Sequence, residues 1–184
     1  PLDAVYPSPL QRARLTAEAL NRYAARHHRE CSGGRERLEI TYQTVSSVTD
    51  PAAEVEVLTE QLRAHMESHQ GAERASRMCL SGPHKDDLVI TIDGREAKSY
   101  SSQGQTRTAA LALKLAEREI YQNATGEYPV LLLDDVLSEL DPRRQEFVLN
   151  RIAGGQVFIT CCEDDRLPVL LGGKVFHVKQ GAIG

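Results

Sequence analysis

Apolar residues recur at Leu10, Ala13, Ala17, Leu20 and Ala24 with no proline or glycine between them, and Ser8-Pro9 precedes them as a cap and a first-turn residue. The spacing predicts a helix over 10–30, roughly 30 Å long at about 1.5 Å per residue. After a turn at 31–35, residues 38–45 alternate apolar and polar as a half-exposed strand does. Asp50-Pro51 predicts the opening of a second helix over 52–70, ended by Gly71. Beyond Ser81 the pattern shortens: a strand over 88–92, a hairpin turn at Asp93-Gly94, and a helix over 109–121 whose Leu111, Leu113, Leu115 and Ile120 belong in a core. The run 130–133 is wholly apolar and stops at two carboxylates, as a strand buried on both faces of a parallel sheet would. Asp141 and Pro142 then predict a helix cap and first position, with the helix running to Ile152 and stopped by Gly154-Gly155. A second buried strand over 156–160, a turn at 171–174 and a last strand over 174–179 complete the chain.

This order of elements predicts an α/β chain, and 184 residues with 41% hydrophobic content suit one domain or one domain plus an appendage. With 26 acidic against 22 basic residues the chain is not globally basic, so any nucleic-acid contact has to come from a local patch. The first helix offers one: Arg12, Arg22, Arg26 and Arg29, with His27 and His28 adding positive charge. That face is either a solvated polar surface or a phosphate-contacting one. Four cysteines without a Cys-x-x-Cys pair imply a reducing, cytoplasmic setting. No apolar run has the length of a membrane span, and the start has neither the charge nor the apolar core of a signal peptide. A chain beginning Pro-Leu-Asp reads as an excised part of something longer.

Three clusters carry chemistry. Asp134-Asp135 at the end of an apolar strand has the form of a Walker B element, in which one carboxylate holds Mg²⁺ and the next orients or deprotonates the attacking water. An exposed turn or a helix cap is the plain alternative. Ser102-Gln103-Gly104-Gln105, just ahead of a helix, presents small and amide residues whose backbone N–H groups suit a phosphate on the helix axis. His84-Lys85-Asp86 sits in a dense polar loop that suits a nucleotide, a metal, a partner or plain solvent, and Thr160 ends its strand where a side chain senses a phosphate or caps backbone. His65 and His69 stand four apart without a third ligand, so a solvated pair is the simpler reading than a metal site. A Gly-x-x-x-x-Gly-Lys-[Ser/Thr] loop, the usual phosphate cradle, is missing from the sequence.

In this order, Gly82-Pro-His-Lys-Asp-Asp87, Ser102-Gln-Gly-Gln105 and Leu131-Leu-Leu-Asp-Asp-Val-Leu-Ser-Glu-Leu-Asp141 resemble the C-terminal half of the RecF family of bacterial DNA repair and replication proteins, in the SMC-like branch of the ABC-type ATPases. The resemblance implies that 79–184 is the C-terminal lobe of a P-loop NTPase head and that 1–78 is a preceding α-helical lid segment. It implies that Ser102, Gln103, Gly104 and Gln105 form a signature motif reaching the γ-phosphate of ATP held by the other subunit of an ATP-dependent homodimer. Asp134 would then be the Mg²⁺-associated residue, Asp135 the catalytic carboxylate, and Ser138 and Asp141 parts of the loop joining two active sites. Asp135 stands where many ABC ATPases carry glutamate, and its shorter side chain implies slow hydrolysis suited to a switch; the resemblance makes the whole protein a slow, DNA-dependent ATPase. Lys85 stands where the family usually has arginine, and the Thr160 strand lacks the histidine often found there. The whole protein would act on gapped DNA, single- and double-stranded, in the nucleoid of the cytoplasm, loading recombinase together with RecR and RecO. Lacking the phosphate cradle, this chain is expected to bind ATP poorly by itself. Two other readings stand beside this one: another SMC-like chromosome ATPase head, and a non-enzymatic partner-binding module.

Overall fold

A computed structural model describes residues 9–137, 140–162 and 173–183. Ser8, Ser138 and parts of the predicted 171–174 turn lie outside these described residues. The elements follow as α1 (Pro9–Cys31), β1 (Leu38–Gln43), α2 (Val55–Ser76), β2 (Asp87–Ile92), β3 (Arg95–Glu96), α3 (Ala97–Tyr100), α4 (Gln103–Thr125), β4 (Leu131–Asp134), α5 (Pro142–Arg151), β5 (Val157–Thr160), β6 (Val178–Lys179) and β7 (Ala182–Ile183). The architecture is mixed α/β with small sheets: antiparallel β1-β2-β3, parallel β4-β5 and antiparallel β6-β7.

Helix α4 organises the packing because it is apolar on two faces. Its Ala109 and Ala116 meet Ala24 of α1 and Leu38, Ile40 and Ile92 of the first sheet. The small side chains let α1 and α4 approach closely. On the other face Leu111 and Leu115 join Leu131, Leu133, Leu137, Leu140, Val148 and Ile152, which closes β4, β5 and α5 over the helix. A third, smaller cluster of Leu10, Val48 and Leu58 roots α2, whose surface is otherwise mostly exposed. Among the described residues no helix is long and apolar enough to cross a membrane.

Several sequence expectations are corrected. Helix α2 starts at Val55, because Asp50 to Ala53 forms a side-chain-supported turn, with Asp50 Oδ1 accepting from Ala52 N at 2.8 Å. It runs through Gly71 to Ser76, since the flanking Glu, Arg and Ala residues offset the roughly 1 kcal/mol that an interior glycine costs. It ends where Arg77 turns left-handed at φ 54°. Strand β4 is buried on one face only: Leu131 and Leu133 point inward, but Leu132 is 70% exposed. Phe158 of β5 lies beside it with Val130, also exposed, so two parallel strands present an open apolar face. The last predicted strand shrinks to Val178–Lys179, which turns through Gln180 and Gly181, both at positive φ, into β7. Asp93 and Gly94, at φ 52° and 77°, make the expected hairpin turn between β2 and β3.

Candidate nucleotide site

The parallel register sets Asp134 beside Thr160. Thr160 Oγ1 donates to Asp134 Oδ1 and accepts from the backbone N of Asp135 at 3.0 Å, while the Thr160 carbonyl accepts from that same N at 3.1 Å. One threonine thus fixes a carboxylate and the turn that follows it. Asp135 takes φ 51°, a left-handed conformation that aspartate tolerates better than most residues, so the chain leaves the strand sharply at this point. Both carboxylates are exposed. Exposed to water, they carry no burial penalty for a cation to offset. Among the described residues no three His, Cys, Asp or Glu side chains group as a self-sufficient metal cage. A magnesium ion needs less, since one or two carboxylates, phosphate oxygens and water complete its shell.

A second cluster surrounds the start of α4. Ser102 is its N-cap and forms a full capping box: Ser102 Oγ accepts from Gln105 N at 3.3 Å, and Gln105 Oε1 accepts from Ser102 N at 3.0 Å. The helix therefore begins at Gln103, earlier than the 109–121 expected, and extends to Thr125. Gln103 and Gly104 occupy its first turn, where N–H groups have no intrahelical partner and point along the axis. Asp141 caps α5, accepting from Arg143 N at 3.1 Å and Arg144 N at 3.2 Å. Arg144 joins the two helix starts: its Nε lies 3.4 Å from Asp141 Oδ2, and its Nη1 is 3.4 Å from where a side chain on Gly104 would begin.

Glu36, which sequence reasoning passed over, and His28, which it placed on the positive face, stand behind this cluster. Glu36 Oε1 accepts from Gln105 Nε2 at 3.2 Å, and Glu36 Oε2 faces His28 Nε2 at 3.6 Å. His28 is completely buried, and burial pushes its pKa below the ordinary histidine value despite Glu36. His27 is likewise buried, with its pKa lowered by burial although its Nε2 is 2.9 Å from Glu119. Neither histidine adds to the positive face of α1, contrary to the sequence expectation, because both turn toward the packed side. Glu119 itself is pushed up by burial but brought below its usual range by Arg26 and His27; with His27 neutral near pH 7, the Arg26 charge is the dominant partner there. The available signal was positional: Ala17, Ala24 and Cys31 recur every seven residues, and His28 stands four beyond Ala24 on the same stripe.

Arg12, Arg22, Arg26 and Arg29 are all exposed on α1, and 22, 26 and 29 follow the i, i+4, i+7 spacing of one face. Arg26 is committed to Glu119 and lies 5.4 Å over the Tyr23 ring. Arg35 and Arg37, unnoticed in the sequence, extend the face into a groove of about 530 Å³ that Arg26 and Arg29 also line. His84, Lys85 and Asp86 fall elsewhere. Asp86 accepts from Tyr42 Oη, whose pKa is raised by burial and by this carboxylate, and His84 Nε2 sits 3.3 Å from the Cys79 carbonyl. They adjoin the Asp87 end of β2, whereas the α4 cluster adjoins the Ile92 end, about 17 Å along the strand at 3.3 Å per residue. His65 and His69 stack at 4.0 Å, and His65 Nδ1 meets Ser81 Oγ at 2.7 Å, so His65 is a buried structural residue and not a solvated one.

No protein-family model matches the chain. Its curated relatives include the DNA replication and repair protein RecF of Symbiobacterium thermophilum, 42% identical over 174 residues that cover 91% of this chain and 46% of the relative. RecF of Synechococcus is 42% identical over 176 residues, covering 94% and 46%, and RecF of Bacillus subtilis 38% over 177 residues, covering 95% and 47%. Two solved structures of the recombination mediator protein RecF in the RecFOR pathway, one with ATPrS and one with ATP, superpose with TM-scores of 0.73 and 0.72. They are 36% and 35% identical, and each superposition covers 92% of this chain and 44% of the other. The chain thus spans about half the length of the relatives it matches.

Proposed function

We propose that this chain, which matches the C-terminal half of RecF proteins, is the signature and Walker B lobe of a DNA-repair ATPase that dimerises around ATP on DNA. The observation that carries the reading is the Thr160 clamp, which holds Asp134 and the Asp135 turn together at the carboxyl end of a parallel strand, where open α/β sheets bind ligands.

Asp134 keeps Oδ2 for a magnesium ion or its water, and that cation would neutralise charge on the phosphates of bound ATP. Asp135 orients the attacking water. Ser102 faces the γ-phosphate of an ATP held by the other subunit: its Oγ lone pair is taken by Gln105 N, so the hydroxyl proton is free to donate alongside the N–H groups of Gln103 and Gly104. Asp141 fixes the start of α5, and with Ser138 completes the loop between the two sites of the dimer. The exposed arginines of α1 meet the DNA backbone. Segment 1–78 acts as the lid and 79–184 as the head lobe, tied together by the β1-β2 pairing and by α1 lying along α4. RecR and RecO are the partners through which the whole protein would promote recombinase loading.

The test is the affinity for a fluorescent ATP analogue with Mg²⁺, measured on this chain with and without a polypeptide carrying the phosphate-loop half. Binding and turnover confined to the mixture support the reading, and tight binding by this chain unaided overturns it. In the reconstituted protein Asp135→Asn accumulates ATP-bound dimers; undiminished turnover removes Asp135 from its role.

A further inference from the structure

We propose that Glu36, backed by His28, is a positioning residue for the phosphate-facing end of α4, acting through Gln105. The proposal rests on the reading of Ser102–Gln105 given above and adds the group that sets its geometry. In an ordinary capping box the side chain at the third helical position reaches back to the cap and leaves its other atoms in water. Gln105 has both ends committed, Oε1 to Ser102 N at 3.0 Å and Nε2 to Glu36 Oε1 at 3.2 Å.

Glu36 determines which way round this amide lies. A carboxylate only accepts hydrogen bonds, so it draws the NH₂ end of Gln105 and turns Oε1 onto Ser102 N. The reversed amide would set oxygen against oxygen at Glu36 and NH₂ against N–H at Ser102. With the amide oriented, the Ser102 backbone is satisfied and the Ser102 hydroxyl proton is left to face outward.

The support behind Glu36 is polar where an apolar one would cost less. Its side chain is 17% exposed, and beyond it lies His28, which has no exposure and whose ring faces Glu36, side chain and backbone, without a full-geometry hydrogen bond on either nitrogen among the described residues. Burying an imidazole this way is unfavourable without a purpose for its dipole. At 3.6 Å from Glu36 Oε2, the Nε2–H tautomer of His28 directs a partial positive charge at the carboxylate and holds it in place. Arg144 from α5 and Asp93 from the β2–β3 turn are the other charged groups acting on His28.

The decisive variants are Gln105→Glu and the double exchange Gln105→Glu with Glu36→Gln, in a chain that also carries the upstream half found in the matched relatives. Glutamate at 105 keeps the capping box yet opposes Glu36; the double exchange restores a donor facing an acceptor with the direction reversed. The readout is the ATP concentration giving half-maximal dimerisation in analytical ultracentrifugation, beside the urea midpoint of each variant. Gln105→Glu raises that concentration about ten-fold, one charge-assisted hydrogen bond's worth, and the double exchange returns it to the wild-type value. An unchanged requirement in the single variant, or no recovery in the double, overturns the positioning role. A wild-type protein that does not dimerise with ATP overturns instead the reading of Ser102–Gln105 on which this rests.

Discussion

Replacing Arg118 with methionine should destabilise the chain by about 3 kcal/mol. Arg118 is 5% exposed on α4 and reaches across the core to the end of α5, where Nη1 donates to the Arg151 carbonyl at 3.3 Å and Nη2 donates to the carbonyls of Ile152, at 3.3 Å, and Gly154. Its guanidinium also lies 4.2 Å over the Tyr128 ring. Helix ends leave carbonyls without partners, and here one cation serves those of Arg151 and the cap residue Ile152 together with that of Gly154 just beyond. Leaving each partly buried carbonyl unpaired costs about 1 kcal/mol, and the lost stacking on Tyr128 about 1 more. Relief from burying a guanidinium returns about 1, which leaves roughly 3. Methionine retains the aliphatic stem, so the effect is not a cavity effect. With a urea dependence of about 2 kcal/mol per molar, the unfolding midpoint falls by about 1.5 M. Arg118→Lys recovers less than half, because an ammonium cannot span three acceptors in one plane. A shift below about 0.5 M, under 1 kcal/mol, for Arg118→Met would refute the account of this clasp.

Gly154→Ala should cost a similar amount, since φ is 87° and the new methyl carbon would sit 2.8 Å from Tyr128 Cε2; circular dichroism melts of the variant check it. His27 and His28 both titrate below the unfolded value of about 6.5, so their contribution is fully present above that pH and is lost as pH falls; unfolding free energies from urea melts should drop between pH 7 and 5 by up to about 1.4 kcal/mol per pH unit per histidine, and a flat profile contradicts their burial as neutral groups. Thr160→Val removes the Asp134 hydrogen bond while the Thr160 carbonyl still receives Asp135 N, so turnover of the reconstituted ATPase should fall roughly ten-fold with ATP affinity retained. Arg22→Ala with Arg29→Ala should reduce the slope of log affinity against log salt for DNA by about 1 per lost phosphate contact, and an unchanged slope removes that face from the interface.

Much of this was legible where local chemistry decides the outcome. Asp141-Pro142 announces the start of α5 and Asp93-Gly94 the hairpin. The match to RecF proteins was legible too, from three short motifs in order. What failed depended on neighbours. An apolar run cannot say whether both its faces are covered, and Leu132 is bare because β4 has one partner strand and a single layer over it. Gly71 reads as a stop, yet helix formers on each side carry α2 past it. Glu36 carries no local signature, because the Gln105 it touches lies 69 positions further along, and His28 gains its neighbour only once Glu36 is placed there. Arg118 looks like a surface charge on an amphipathic helix until α5 arrives beneath it.

The register of β1 on β2 pairs Leu38 with Ile92 and Gln43 with Asp87. In connectivity, then, these two strands are a single β-hairpin whose turn has grown to hold residues 44–86, α2 included. Loop closure grows only logarithmically with length, about 0.6 kcal/mol for each doubling, so the hairpin is nearly indifferent to how much chain it carries. Its anchors are few: Leu58 and Val48 on Leu10, and Tyr42 on Asp86. Such an excursion can lengthen, shorten or be replaced by a two-residue Asn-Gly turn while the strands keep their register. Relatives of this chain can therefore vary the arm freely without redesigning the lobe from which it projects.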